Sequence, residues 1–364
     1  MIRILHILSS LNGGGVESMI TNYYHNFKDN DIVFDFAVHN PNIGILEKGL
    51  IEKGSSIFHL TPKKTNLFKN IKELYSIIDK DKYDAIYCHQ NFISWIPLLI
   101  AKMKGIKVRI VHSHGCNPPK SLIKKIRNVI ERILLNMFAT NYFSCGVNAS
   151  KWLYGKNWKE EYPKRVIINN AIDIDKFAFS KEIRNKLRKK YKIGNKICLF
   201  HAGRFSSEKN HKYIIDIYSK LESDKYCLFF AGNGELYDSI VDYSKKTKLK
   251  NINFLGVRTD VNELYLMADV FLLPSFHEGF PVTLVEAQCS SLKCIASTNV
   301  SKETKMLDKT SFISLNDDDK WIEEIKSVII NDRKTEIDAL KNNGFDIKTE
   351  SLKYYDLLKT ICKK

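Results

Sequence analysis

Short apolar runs alternate with longer charged segments along almost the whole chain. Seven apolar runs lie in the first half of the chain, from "IRILHILSS" to "RVIIN", and six lie in the second half, from "KICLFHAGR" to "SFISL". Continuous apolar strands separated by helices are typical of a parallel sheet that helices cover on both faces. The series restarts near residue 196, after the charged segment "KEIRNKLRKKYKIGNK". The sequence therefore predicts an α/β protein of two doubly wound domains, with a boundary between residues 170 and 195.

The composition limits the class of protein. The 364 residues and 44% hydrophobic content suit packed cores rather than a disordered chain. The opening "MIRILHILSSLNGGG" suits a first buried strand better than a secretory signal, and the longest apolar run, residues 92–101, has about half of the ~20 residues that a spanning helix needs. The eight cysteines form no C-x-x-C pair, which indicates free, mostly buried thiols. We therefore expect a cytoplasmic protein that does not cross a membrane.

The net charge of +16, from 57 Lys and Arg against 41 Asp and Glu, is strongly positive. Such an excess favours nucleotides, nucleic acids or anionic lipids as partners, or is a Lys-rich composition without a target. Residues 118–138 combine apolar residues at a helical period with five cations, Lys120, Lys124, Lys125, Arg127 and Arg132.

Two interpretations of residues 118–138 stay open. The helix packs its apolar face on the protein's own sheet and leaves a basic face in water, or it lies on an anionic membrane surface. Nucleic acid is not expected as a partner, because no motif that reads DNA or RNA accompanies the charge.

Three consecutive glycines, Gly13, Gly14 and Gly15, follow the first predicted strand and precede an amphipathic helix. Ligands of open α/β sheets bind at the carboxyl ends of strands, where glycines let backbone N–H groups approach an anion. The loop does not match G-x-G-x-x-G, so it lacks the dinucleotide fingerprint. We expect a phosphate or sugar contact here, with a flexible turn as the alternative.

His112 and His114 stand at the end of the strand predicted in "RIVHSHGCNPPK". We expect the two side chains on opposite faces of the strand, so that one packs while the other faces the ligand. His114 is the better candidate for the ligand because Gly115 follows it directly. A structural histidine is the alternative for each.

Two cations, Arg204 and Lys209, flank the start of a helix in "LFHAGRFSSEKNHKYII". Gly203 is expected in a tight turn, with Ser206 or Ser207 as the helix cap. Cations five residues apart at a helix N-terminus can neutralise a pyrophosphate from two sides, although each alone is more often a solvated surface residue.

Two glutamates, Glu278 and Glu286, stand with seven residues between them in "PSFHEGFPVTLVEAQCS". Pro281 is predicted as the first helical residue, which leaves three N–H groups available to an anion, those of Val282, Thr283 and Leu284. Glu286 then lies about 7.5 Å farther along the helix axis. Because a carboxylate accepts hydrogen bonds from two vicinal hydroxyls, the pair suits a ligand with a central diphosphate and hydroxyls at both ends. That ligand is a nucleotide sugar.

The segment "EGFPVTLVE" resembles the E-x7-E motif of the retaining glycosyltransferases of family 4, which have the GT-B fold. The resemblance covers nearly the whole chain, through "SSLNGGGVE", "VHSHG", "NNAIDIDKF", "GRFSSEKN", "AGNGEL" and the run from Phe254 to Gln288. Within the family the chain is most similar to bacterial enzymes that assemble capsular polysaccharides and exopolysaccharides.

The resemblance implies two Rossmann-like domains facing a central cleft. An acceptor-binding domain would comprise residues 1–172 and a nucleotide-sugar-binding domain residues 173–345. A C-terminal helix in residues 346–364 would cross back to the first domain.

The resemblance also implies roles for single residues. Arg204 and Lys209 would bind the donor diphosphate, Glu286 the ribose and Glu278 the transferred sugar near its reacting carbon. His114 would contact that sugar from the first domain, so that the catalytic set is Glu278, His114, Arg204 and Lys209. Eight further positions would line the donor: Gly14, Gly15, Val257, Arg258, Gly279, Phe280, Pro281 and Val282.

The implied reaction moves a hexosyl or N-acetylhexosaminyl unit from a nucleotide sugar, with a UDP-sugar favoured, to a glycan or a lipid-linked saccharide. It would proceed with retention of configuration and without a metal or other cofactor. Stabilisation of the leaving diphosphate would supply the catalysis, and domain closure would exclude water. The enzyme would be cytoplasmic, with residues 118–138 as its contact to the inner face of the cytoplasmic membrane.

Two other functions remain as alternatives. One is a sugar-nucleotide epimerase on the same scaffold. The other is a non-catalytic protein that binds nucleotide sugars or a membrane surface, because "CSSLKC" at 289–294 replaces the A-S-G-x-P segment that the family often has.

Overall fold

The computed structural model describes residues 1–115, 119, 121–328, 333 and 337–363. The chain divides into two compact units, Met1–Ala171 together with Ile347–Lys364, and Ile172–Asp346. Lys120, one of the five cations of residues 118–138, and Cys116, one of the eight cysteines, lie outside the described residues.

Each unit is built on one parallel sheet. The strands of the first unit are β1 (Ile2–Leu8), β2 (Ile32–Val38), β3 (Ile57–His59), β4 (Ala85–Cys88), β5 (Val108–Ser113), β6 (Asn141–Ser144) and β7 (Arg165–Ile167). Those of the second unit are β8 (Ile197–Ala202), β9 (Tyr226–Ala231), β10 (Ile252–Phe254), β11 (Val270–Leu273), β12 (Lys293–Ser297) and β13 (Thr310–Ile313). The strand orders are β3-β2-β1-β4-β5-β6-β7 and β10-β9-β8-β11-β12-β13, and neighbouring strands pair in parallel.

Helices connect the strands. The first unit contains α1 (Gly15–His25), α2 (Glu47–Glu52), α3 (Leu67–Ile77), α4 (Trp95–Met103), α5 (Leu122–Phe138) and α6 (Val147–Tyr154). The second contains α7 (Ile174–Phe177), α8 (Lys181–Lys190), α9 (His211–Tyr218), α10 (Tyr237–Lys246), α11 (Val261–Met267), α12 (Val282–Cys289), α13 (Asp318–Lys326) and α14 (Ile337–Asn342). The last helix, α15 (Ile347–Cys362), belongs to the first unit. There Tyr354 packs edge-on against Tyr23 of α1, with the ring centroids 5.0 Å apart.

Both sheets bury apolar side chains on their two faces. In β1 the successive residues Ile4 and Leu5 belong to different buried clusters, because successive side chains of a strand point to opposite faces. Leu199 and Phe200 of β8 divide in the same way between the two clusters of the second unit. Each sheet is therefore buried on both faces, as the continuous apolar runs predict.

The predicted fold class is confirmed, since each of the thirteen apolar runs contains a strand and the second series begins at β8. None of the seven described cysteines is in a disulfide, and six of them are buried. Among the residues that the structure describes, no helix has the length and apolar character needed to span a bilayer.

Helix α5 contradicts the first of the two interpretations of residues 118–138, in which its apolar face packs on the protein's own sheet. Its large apolar residues are between 51% and 81% exposed, namely Leu122, Ile123, Ile126, Val129, Ile130, Ile133 and Met137. The face turned toward the unit instead carries Arg132, which donates to the carbonyl oxygens of Trp152 and Leu153 at 2.7 and 3.1 Å. Only Leu135 and Phe138 of this helix are buried.

Candidate active site

The loop before α12 and the N-terminus of this helix hold the paired glutamates of the second unit. The helix begins at Val282, one residue later than predicted, and Pro281 is its cap with extended backbone (φ −71°, ψ 113°). The N–H of Leu284 donates to the Pro281 carbonyl oxygen at 3.1 Å, so the expectation that it is available to an anion was wrong. Thr283 adds a buried hydroxyl that has no hydrogen-bond partner among the described residues.

Lys209 and Glu278 form an ion pair although 68 residues separate them in the sequence. The Nζ of Lys209 lies 2.5 Å from Oε1 of Glu278, and each side chain is 17% exposed. The Ser275 hydroxyl donates to the same carboxylate oxygen at 3.1 Å. The N–H of Phe276 donates to the Glu208 carbonyl oxygen at 2.8 Å, which ties the two loops together.

Glu286 lies inside α12 with its carboxyl group away from water. Burial raises the pKa of Glu286 to about 7, while a hydrogen bond from Tyr265 and the charge of Lys209 oppose that rise. The Tyr265 hydroxyl donates to Oε2 of Glu286 at 2.9 Å. Lys209 therefore acts electrostatically on both glutamates of the motif.

Two glycines let the backbone pack tightly where β8 and β9 end. Gly232 has φ +129°, and a Cβ atom there would lie 2.0 Å from the Gly203 carbonyl oxygen. A Cβ on Gly203 would contact Cε of Lys209 at 3.5 Å. The Lys209 side chain thus lies over the turn at Gly203, beside the carboxyl end of the sheet.

The other predicted residues of the second unit lie near the surface or in the core. The Arg204 side chain is 74% exposed, and it forms an ion pair with Glu235 at 3.1 Å rather than with Glu278, the partner of Lys209. Val257 is 71% exposed, and Arg258 is held by Asp260 at 2.6 Å.

Phe280 is buried, and its ring stacks on Phe345 at 5.6 Å. Gly279 beside it is partly buried. Phe280 therefore has a packing role in addition to any backbone contact with the donor.

The glycine loop of the first unit carries a carboxylate at the helix N-terminus. Gly14 caps α1, and a Cβ on Gly14 would lie 2.5 Å from Oε2 of Glu17. The Ser10 hydroxyl donates to Oε1 of Glu17 at 2.8 Å. An anion that approaches Gly14 and Gly15 must therefore displace the Glu17 carboxylate.

His112 and His114 lie on the same face, so the expectation of opposite faces was wrong. Side chains alternate with a period of two, and residues two apart therefore point the same way. Their rings stack with centroids 3.9 Å apart and planes inclined by 20°. His112 is fully buried, with Nδ1 2.8 Å from the Tyr87 hydroxyl, whereas His114 is partly exposed.

His114 meets a further histidine that sequence reasoning missed. Nε2 of His114 lies 2.8 Å from Nδ1 of His89, whose Nε2 lies 3.0 Å from Nδ1 of His6. Burial lowers the pKa of His114 and of His6 to about 3, and that of His89 well below its usual range. All three rings are therefore neutral near pH 7.

Three of these histidines are near enough to one another to bind one metal ion. The nearest ring nitrogens of His89, His112 and His114 lie within 4.8 Å of one another. Two tetrahedral zinc ligands stand roughly 3.3 Å apart, however, which is farther than the 2.8 Å between Nδ1 of His89 and Nε2 of His114. The geometry is that of a hydrogen-bonded chain.

The sequence held a weak signal for the missed residues. His6 and His89 each lie in or directly after a strand, and β1, β4 and β5 are neighbours in the sheet, but that adjacency is a property of the topology. Tyr265 lies in a short buried helix and resembles any core aromatic residue.

The chain is similar in sequence to known glycosyltransferases. Residues 183–345, nearly the whole second unit, match the family described as "Glycosyl transferases group 1". The chain is 29% identical over 316 residues to the UDP-Gal:alpha-D-GlcNAc-diphosphoundecaprenol alpha-1,3-galactosyltransferase of Escherichia coli, over 79% of this chain and 78% of the relative. It is 26% identical over 381 residues to the capsular polysaccharide biosynthesis glycosyltransferase CapH of Staphylococcus aureus, over 99% of this chain and 100% of the relative.

A solved structure shares the fold. HepE of Anabaena in complex with UDP-glucose matches with a TM-score of 0.77 and 17% identity, over 99% of this chain and 100% of that chain. HepE shares the fold of this chain, and the sequence similarity to CapH extends over both units.

Proposed function

We propose that this chain is a glycosyltransferase with the GT-B fold, similar to the bacterial enzymes of capsule and exopolysaccharide synthesis, and that its donor is a UDP-sugar. The transferred unit is a hexosyl or N-acetylhexosaminyl group, and the acceptor is a glycan or a lipid-linked saccharide. Transfer proceeds with retention, without a metal ion, in the cytoplasm. The donor and acceptor in the name of the Escherichia coli relative and the UDP-glucose bound to HepE support this choice.

The observation that carries the proposal is the convergence of Lys209, Glu278 and Glu286 near the N-terminus of α12. Without a donor, Lys209 pairs with Glu278 at 2.5 Å. A diphosphate, with at least two negative charges, competes for the ammonium group and for the N–H groups at the helix N-terminus. Once Lys209 turns to the diphosphate, the oxygens of Glu278 are available to accept hydrogen bonds from sugar hydroxyls.

Each group then has one task. Lys209 and Arg204 neutralise the charge that develops on the leaving diphosphate, which is electrostatic catalysis. Glu286 accepts hydrogen bonds from the ribose, Glu278 orients the transferred sugar, and His114 contacts that sugar. Backbone groups at the eight donor-lining positions named above complete the site.

Incubation with UDP-glucose, UDP-galactose, UDP-N-acetylglucosamine and GDP-mannose tests the proposal, with release of the nucleoside diphosphate as the readout. We expect turnover of one UDP-sugar and a loss of about a hundredfold in Lys209→Ala and in Glu286→Gln. Lys212→Ala is the matched control, because Lys212 is exposed and its ammonium group contacts Asp216 and the Tyr243 ring, neither of which is a predicted site residue. Near-normal turnover by both site variants, with thermal melting unchanged, would refute the assigned site.

The same assay separates the alternatives. An isomerised donor without release of diphosphate would identify an epimerase. Tight binding without any turnover would identify a non-catalytic binding protein.

Helix α5 supports a second proposal, that the first unit docks on an anionic membrane surface. Its outward face carries seven large apolar residues, and Lys124, Lys125 and Arg127 flank them. Glu131 is the single acidic residue of the helix and pairs with Arg127 at 3.7 Å. A helix with an apolar outer face and basic flanks has the chemistry of an interfacial membrane helix.

Sedimentation with vesicles of anionic and of zwitterionic lipid tests the docking. We expect binding to anionic vesicles at low salt that weakens as salt rises. Ile126→Ser with Ile130→Ser should reduce it about a hundredfold, because each side chain contributes about 1.5 kcal/mol when buried in the interface. Ile51→Ser, which removes an equally exposed isoleucine from α2, should bind as the wild type does. Absence of binding, or self-association through this face instead, would sink the docking proposal.

A further inference from the structure

Three histidines of the first unit form a continuous hydrogen-bonded chain. His6 lies in β1, His89 follows β4, and His114 follows β5, so that three neighbouring strands supply one ring each. Nδ1 of His6 lies 3.0 Å from Nε2 of His89, and Nδ1 of His89 lies 2.8 Å from Nε2 of His114. Both links have ordinary hydrogen-bond lengths.

A chain of neutral imidazoles has only two proton arrangements. Each ring carries one proton, and each link needs one donor and one acceptor. Either every Nδ1 is protonated and donates toward His114, or every Nε2 is protonated and donates toward His6. The tautomer of one ring therefore fixes that of the other two.

The buried end of the chain distinguishes the two arrangements. Nε2 of His6 is buried and has no hydrogen-bond partner in the part of the chain that the structure describes. In the first arrangement this atom is a bare acceptor, whereas in the second it is a buried N–H without an acceptor, the rarer and more costly defect. The first arrangement is therefore favoured, with Nδ1 of His114 carrying a proton.

We propose that His6 and His89 are positioning residues that fix His114 as the tautomer with a proton on Nδ1, so that it donates a hydrogen bond to an oxygen of the nucleotide-sugar donor. The role of His114 as a donor contact rests on the proposed function. The tautomer of His114 does not rest on the proposed function, because it follows from the hydrogen bonds among the three histidines. No other described residue accepts a hydrogen bond from Nδ1 of His114, which leaves that atom for the ligand.

Histidine tautomers are read directly from the ring nitrogen shifts of the ¹⁵N-histidine-labelled protein, with His6→Phe, His89→Leu and His114→Phe as assignment variants. We expect protonated Nδ1 on His6, His89 and His114 in the protein without donor. A protonated Nε2 on His114, or a mixture of its tautomers, would overturn the proposal. Loss of these signals to a bound ion on addition of Zn²⁺ would also overturn it, since the three-histidine metal site would then be the better description.

Donor kinetics supply an independent readout. We expect His89→Leu to raise the KM for the UDP-sugar by about two- to tenfold, since one hydrogen bond is lost from the orientation of His114. His89→Gln should restore it, because the amide oxygen accepts from His6 and the amide nitrogen donates to His114. Equal KM values for wild type, Leu and Gln variants would contradict the positioning role.

The two readouts keep the two proposals apart. If the protein shows the expected tautomers but turns over no nucleotide sugar, the proposed function is refuted and the tautomer assignment stands. If the protein turns over a nucleotide sugar but His114 is protonated on Nε2, the tautomer assignment is refuted and the proposed function stands.

Discussion

Removal of one hydroxyl group should make donor binding depend on pH in a predictable way. Glu286 accepts a hydrogen bond from Tyr265 at 2.9 Å, and burial raises its pKa to about 7. The ionised carboxylate is the better acceptor for ribose hydroxyls, so donor affinity should rise as pH increases through about 7. Tyr265→Phe removes a bond that favours the ionised form.

The size of the effect follows from that single bond. A hydrogen bond to a charged group contributes about 1.5–3 kcal/mol, and one pKa unit corresponds to about 1.4 kcal/mol. The pKa of Glu286 should therefore rise by roughly one to two units in Tyr265→Phe. At pH 7 the ionised fraction falls from about one half to between about one tenth and one hundredth, which weakens donor binding about five- to fiftyfold. At pH 9 the difference should shrink to about twofold or less, since Glu286 is then almost fully ionised in the wild type and at least about half ionised in the variant.

Calorimetric titration with UDP at pH 6, 7, 8 and 9 measures this difference. The ratio of the two Kd values is the quantity of interest, because titration of UDP itself cancels in it. Tyr218→Phe is the matched control, since Tyr218 is a buried tyrosine of the same unit whose hydroxyl donates to the carbonyl oxygens of Tyr226 and Lys250. A ratio that stays constant from pH 6 to 9 would show that the Tyr265 hydroxyl does not act through the ionisation of Glu286.

Two further substitutions test the framework of the second unit. Asp269→Asn should cost about 3–5 kcal/mol in urea denaturation, because Asp269 is the buried partner of both Arg184 and Arg188, and a cost below about 1 kcal/mol would contradict this. Gly232→Ala should leave little folded protein, since its Cβ would lie 2.0 Å from the Gly203 carbonyl oxygen at a φ of +129°; a thermal melt close to that of the wild type would show that the turn can rearrange.

The order of strands and helices could be predicted from the sequence because it depends on local pattern. A strand buried on both faces must be apolar along its length, and each of the thirteen runs met that demand. The importance of Lys209, Glu278 and Glu286 also followed from charge placed beside strand ends and a helix start, which is where α/β sheets bind ligands. Their functional roles remain predictions.

Contacts between distant segments could not be predicted in the same way. The pairing of Lys209 with Glu278, the Tyr265 hydroxyl on Glu286 and the Glu17 carboxylate over Gly14 depend on how loops pack after the sheet has formed. Nothing in the local sequence marks such a partner.

The sequence by itself determined two doubly wound units and indicated the residues around which we propose a nucleotide-sugar site, because periodicity and residue type are local properties. Only the tertiary structure decided which side of α5 faces water, since an amphipathic pattern defines two faces but not the one that packs. It also decided that His6, His89 and His114 form one chain, because β1, β4 and β5 become neighbours only in the folded sheet.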